Sequence, residues 1–204
     1  MFPFELRGAR VHEAEGRGRR SFALCQAQHH SGPVFYITLQ QERERLMCSA
    51  LPEGLAGRLC LVRTRSTEDL LWATEEVLRD PAPGLVIAEP DRALHLNAAR
   101  RLQLAAEAGQ TTGLLLIREG QGSNVAETRW HCKPVPGGPD QSLHHWEMLR
   151  NKRGPCRSWT LSWDGRAPLK PEDLQSPQQK PAPDPCAYPS YPSYPYPAYA
   201  YRPG

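Results

Sequence analysis

The sequence predicts an α/β fold, a mostly parallel sheet flanked by helices with an antiparallel edge, and three observations predict it. Nearly continuous apolar runs of strand length alternate with longer segments of helical period. Later, short alternating runs are split by Gly/Pro turns, and from Pro168 the composition changes altogether. The chain of 204 residues has room for one sizeable core and an appendage. The expected organisation is one domain, residues 1–167, and a disordered Pro/Tyr-rich tail, residues 168–204.

The first strand is ARVHEAE, which turns through Gly16 and Gly18 into a helix beginning near Arg20. GPVFYITLQ, RLCLVRT, PGLVIAEP and TGLLLIREG are four more strands, each apolar enough to be buried on both faces. STEDLLWATEEVLRD is a helix: Ser66 is its candidate N-cap, with Asp69 three residues on, and Leu70, Leu71, Ala73, Val77 and Leu78 fall near one face. DRALHLNAARRLQLAAEAG is another, with Asp91 as N-cap and Gly109 as C-cap. Strands separated by helices of this length need crossover connections, hence a parallel sheet. Trp130, Trp146, Trp159 and Trp163 lie on short alternating runs separated by turns such as PVPGGPD, and these extend the sheet in antiparallel fashion.

The tail holds 11 of the 21 prolines and six of the seven tyrosines, a density that excludes helix and sheet and favours extended polyproline-like conformations. Such a tail acts as a spacer or stacks on a partner's surface. Six cysteines occur without a CxxC pair and without a preceding secretory segment, so they are expected to be reduced, small core residues of a cytoplasmic protein. No apolar run approaches the roughly 18 residues of a membrane span. A net charge of +3 is too small to announce a nucleic-acid binder; the basicity is local, at Arg7, Arg10, Arg17, Arg19 and Arg20.

Metal chemistry finds poor material. The pairs His29-His30, His131-Cys132 and His144-His145 are adjacent residues, which on a strand point to opposite faces, so no metal and no cofactor is expected. Neither a GxSxG elbow nor a cysteine signature supports a nucleophile, so no catalytic residue is assigned. GRGRRS is the remaining candidate. A phosphate-binding loop, GxxxxGK[ST], cradles phosphates with backbone N–H groups, a lysine and a magnesium-binding hydroxyl. With GRRS (Gly18, Arg19, Arg20, Ser21) set against GK[ST], only Gly16 and Arg17 remain where a longer loop should be. The plainer reading is a glycine turn into a helix whose arginines are solvated; the other is residual nucleotide binding.

Taken in order, ARVHEAE, GRGRRS, FYITLQQE, LVIAEPD, LNAARRLQLAA, GLLLIRE, TRWHCKPVP and WEMLRNKRGPCRSWTLSW resemble the RecA recombinase core, and most closely the ImuA family of RecA-like accessory proteins of bacterial damage-inducible mutagenesis. The resemblance covers residues 9–164; RVHEAEGRGRRSFAL and WEMLRNKRGPCRSW carry it most specifically. It implies a degenerate RecA-like domain. Where RecA has its catalytic acid this chain has Gln40 and Gln41 before Glu42, the magnesium-linked aspartate falls on Glu89, and both DNA-binding loops are short. Phosphoryl transfer depends on positioning and charge, so losing these together removes ATP hydrolysis.

The resemblance further implies a non-enzymatic adaptor of the SOS response and translesion synthesis. It would link RecA filaments on damaged DNA to the polymerase-like ImuB and the error-prone polymerase, with DNA contact weak or indirect. LRNK matches the basic segment RecA presents to a neighbouring subunit, making Arg150, Lys152 and Arg153 candidates for docking on one filament end. The plainer reading of these three is an exposed turn that keeps a sheet edge soluble. A nucleotide-binding switch with a residual loop, or a SulA-like cell-division inhibitor, is the alternative function.

Overall fold

The computed structural model describes residues 4–47, 51–138 and 141–169, and the backbone of Gln178 and Gln179. In chain order the elements are β1 (Val11–Glu15), α1 (Arg19–His29), β2 (Val34–Leu39), β3 (Leu59–Thr64), α2 (Thr67–Arg79), β4 (Leu85–Glu89), α3 (Leu96–Gly109), β5 (Gly113–Leu116), β6 (Thr128–Val135), β7 (Leu143–Asn151), β8 (Arg157–Ser162) and the two-residue β9 (Gln178–Gln179). They form one mixed sheet of order β3-β2-β4-β5-β1-β6-β7-β8-β9. The strands from β3 to β6 are parallel, and β7, β8 and β9 add an antiparallel edge.

Alternation along the central strands feeds two cores. Tyr36, Ile87 and Leu114 face α1, whereas Ile37, Val86, Ala88 and Leu115 face α2 and α3. Every residue of β1, β4 and β5 is buried, as strands covered by helices on both faces require. β3 differs from the expectation of two buried faces. It is the sheet edge, paired only to β2, with Leu61 55% exposed and Cys60 exposed. An apolar run of strand length has the same local signature at a sheet centre or at its border. Cys25 and Cys132 are buried, as core cysteines should be.

Ser66 caps α2, its hydroxyl accepting from the Asp69 N–H at 3.0 Å. Asp91, by contrast, does not cap α3. Its carboxylate accepts from the Thr67 hydroxyl at 2.7 Å, and the helix starts at Leu96. At the far end of α3 the left-handed cap is Gln110 (φ 56°), not Gly109. Gly109 serves close approach instead: a Cβ there would lie 2.1 Å from the Leu78 carbonyl oxygen of α2.

The antiparallel edge is built on aromatic packing. Trp146 of β7 stands opposite Trp159 of β8. Phe4 enters among them edge-on, its ring 5.0 Å from both Trp146 and Trp159, while Phe22 of α1 lies 5.1 Å from Trp130. The folded body runs past the boundary that composition places after residue 167, because Leu169 is buried in the same cluster and Gln178–Gln179 pairs with β8. The rest of the tail, Cys48, Cys186, and Pro139 and Asp140 of the PVPGGPD turn lie outside the described residues. Among those described, no helix is long and apolar enough to cross a membrane.

Candidate functional site

The glycine turn sits where an α/β sheet offers its binding crevice, at the carboxyl ends of the strands. β1 ends at Glu15, and Gly16 takes φ +86°, a left-handed conformation that suits glycine. The turn then lies flat against β6. Gly18 donates its N–H to the Cys132 carbonyl at 2.8 Å, and a Cβ on Gly16 would stand 2.4 Å from that same oxygen. An N–H group that a phosphate cradle would use is therefore committed to the neighbouring strand.

From the first turn of α1, Arg19 and Arg20 reach across β1 and β5 to Glu89 at the end of β4. Arg19 Nη2 donates to Glu89 Oε1 at 2.9 Å; Arg20 grips the same carboxylate with Nε (3.0 Å) and Nη2 (2.8 Å); the Tyr36 hydroxyl donates to Oε2 at 2.9 Å. These four hydrogen bonds fill the roughly four acceptor sites of a carboxylate. Glu89 is 6% exposed, and the arginine side chains are 24% and 19% exposed. Glu42 lies 3.7 Å from Arg20, and Glu44 is a further partner. Burial and the Glu89 charge push the Tyr36 phenol well above its usual pKa, and it stays a neutral donor.

Solvated arginines, the plainer expectation, are thus not what the fold provides: both are folded onto an internal carboxylate. Arg19 and Arg20 meet Glu89, and Arg19 also donates to the Gly16 carbonyl at 3.2 Å. Ser21 does not join them. It lines a separate cavity of about 340 Å³ with Pro134, Ser142, His144 and Trp163. Sequence reading missed Tyr36, whose alternation in an apolar strand toward the same face as Glu89 was the available signal.

Arg150, Lys152 and Arg153 occupy the β7–β8 hairpin tip at the opposite end of the sheet, since Asn151 pairs with Thr128, the first residue of β6. They are tied down as well as displayed. Arg150 Nη1 donates to Asn124 Oδ1 at 2.7 Å, Lys152 Nζ to the Val125 carbonyl, and Arg153 Nε lies 3.2 Å from Glu127 Oε1. Buried Glu127 also holds Arg7 at 3.3 Å and Arg10 at 3.9 Å. Lys152 and Arg153 are exposed at this tip, and Arg150 is half-buried.

Two buried groups on β1 escaped the sequence reading. Glu13 accepts from Arg129 Nε and from the Ser123 N–H, both at 2.9 Å, fastening residues 117–127 over the sheet. His12 is fully buried between the Arg7 carbonyl (3.0 Å) and the Thr128 hydroxyl (2.7 Å). Burial lowers its pKa to about 4. Since the Arg7 carbonyl can only accept, Nε2 carries the proton and Nδ1 accepts from Thr128. Among the described residues no group of three or more His, Cys, Asp or Glu side chains is placed to hold a metal ion. No protein-family model and no curated protein matches the chain.

Proposed function

We propose that this chain is a non-enzymatic adaptor on a degenerate RecA-type scaffold, resembling ImuA and acting in the cytoplasm in damage-induced mutagenesis. It joins RecA filaments on damaged DNA to ImuB and the error-prone polymerase. The observation that carries the reading is the saturation of Glu89. A carboxylate already accepting four hydrogen bonds has no lone pair to offer magnesium or an attacking water, and the arginines nearest the loop are already neutralised. Seating a triphosphate there requires breaking that network and lifting Gly18 from β6.

Two further features support an interaction role. Residues 90–95 and 117–127, which replace the DNA-binding loops of RecA in the resemblance, are short, and the second is pinned by Glu13. That leaves DNA contact weak or indirect. Exposed Lys152 and Arg153 stand at the end of the sheet away from the glycine turn. A docking face at the end of the sheet away from the degenerate loop suits a protein that caps a filament rather than extending it.

Co-sedimentation with RecA filaments tests the reading. Retention of the chain is expected, with at least a tenfold loss for Arg150→Glu/Lys152→Glu; unchanged binding by that variant removes the docking role. A parallel titration with a fluorescent ATP analogue, with and without magnesium, is expected to show no saturable binding. Tight binding would replace the adaptor reading with a nucleotide-dependent switch.

A further inference from the structure

A cavity of about 650 Å³ opens beside the β7–β8 hairpin tip. Buried Trp130, Met148 and Trp159 line it, and exposed Arg7, Arg153 and Arg157 stand at its rim. β9 points the chain toward it. β9 is antiparallel to β8, with Ser158 opposite Gln178 and Arg157 opposite Gln179, so the chain leaves Gln179 running toward Pro155 and the cavity mouth. Gln179 lies one strand spacing, about 4.8 Å, from Arg157.

Beyond β9 the chain ends in its Tyr/Pro-rich segment. Within it, Tyr188, Tyr191 and Tyr194 recur every third residue, each succeeded by proline: YPSYPSYP. A polyproline II helix has three residues per turn and rises ~3.1 Å per residue, so in that conformation these rings would share one face about 9 Å apart. Between Gln179 and Tyr188 the same conformation reaches up to about 28 Å. Such helices are bound in aromatic-lined grooves, having little conformational entropy left to lose. Guanidinium groups at the rim favour the faces of tyrosine rings, and the hydroxyl of a seated ring stays at the wet edge. The segment 187–197 carries no charged residue, so rings rather than carboxylates meet the arginines.

We infer that the YPSYPSYP segment folds back onto its own chain and seats a tyrosine ring in this cavity, against Trp159 and Met148 and beneath the rim arginines. The contact is intramolecular, favoured by an effective concentration of about 1 mM for a short connection. It is independent of the adaptor reading.

The test uses a fluorescein-labelled synthetic peptide of residues 187–197, read by anisotropy. Full-length chain carrying Tyr188→Ser/Tyr191→Ser/Tyr194→Ser is expected to bind it saturably. Wild-type chain, whose own tail competes, is expected to bind it about tenfold more weakly, the ratio that ~1 mM effective concentration produces against a Kd near 100 μM. Adding Arg157→Glu to the tyrosine variant should abolish binding; Arg157 is exposed and, unlike Arg153, does not hold buried Glu127. Three results overturn the inference: no binding to the tyrosine variant, equal binding to variant and wild type, or binding indifferent to the arginine reversal. Sedimentation of the wild type as a dimer that the tyrosine substitutions dissociate would also overturn it, since the tail would then occupy a second copy.

Discussion

Glu89→Gln isolates the internal ion network. The substitution keeps shape and removes the charge that two guanidinium groups share. Taking one partner from a buried ion pair costs about 3–5 kcal/mol. Here the cost falls below that range, to about 2–3 kcal/mol, because the arginines are roughly a fifth exposed and Arg20 keeps Glu42 and Glu44. For a body of this size that corresponds to a fall in Tm of about 5–10 °C. Urea titration tracked by tryptophan fluorescence measures it, since the buried indoles of Trp130, Trp146 and Trp159 report on the fold. Replacing the arginines as well, in Glu89→Gln/Arg19→Met/Arg20→Met, should recover most of the loss, because a neutral trio leaves no uncompensated charge. A Glu89→Gln cost below about 0.5 kcal/mol, or a triple variant no more stable than the single one, would refute the claim that Glu89 exists to neutralise these arginines.

Two more outcomes are expected. Stability should fall as pH drops from about 6.5 to 4: His12 is held neutral in the fold, with a pKa of about 4, and the unfolded chain takes up a proton in that window that the folded chain does not. The loss from His12 is about 3 kcal/mol, and His30, also lowered to about 4 by burial, acts in the same direction. Urea titrations at pH 7 and 4.5 measure it, and His12→Gln should flatten the dependence. Gly16→Ala should cost at least about 2 kcal/mol, because its Cβ meets the Cys132 carbonyl at 2.4 Å in a left-handed conformation. Gly120→Ala, equally left-handed but facing open space, should cost only about 1 kcal/mol. Equal costs for the two would show that contact with β6 is unimportant.

Local chemistry was legible in the sequence. Strand-length apolar runs, the Ser66 cap, the glycine turn into α1 and the antiparallel tryptophan strands each depend on residues a few positions apart, and the fold kept them all. Only the tertiary structure decided what those elements meet. Glu89 lies 70 residues from Arg19 and 53 from Tyr36, so no local pattern could say whether the arginines face water, phosphate or carboxylate. The edge position of β3, the diversion of Asp91 to Thr67 and the heading of β9 toward an aromatic cavity have the same origin. Periodicity and capping are set by neighbours along the chain, whereas burial, ion pairing and strand order are set by neighbours in space.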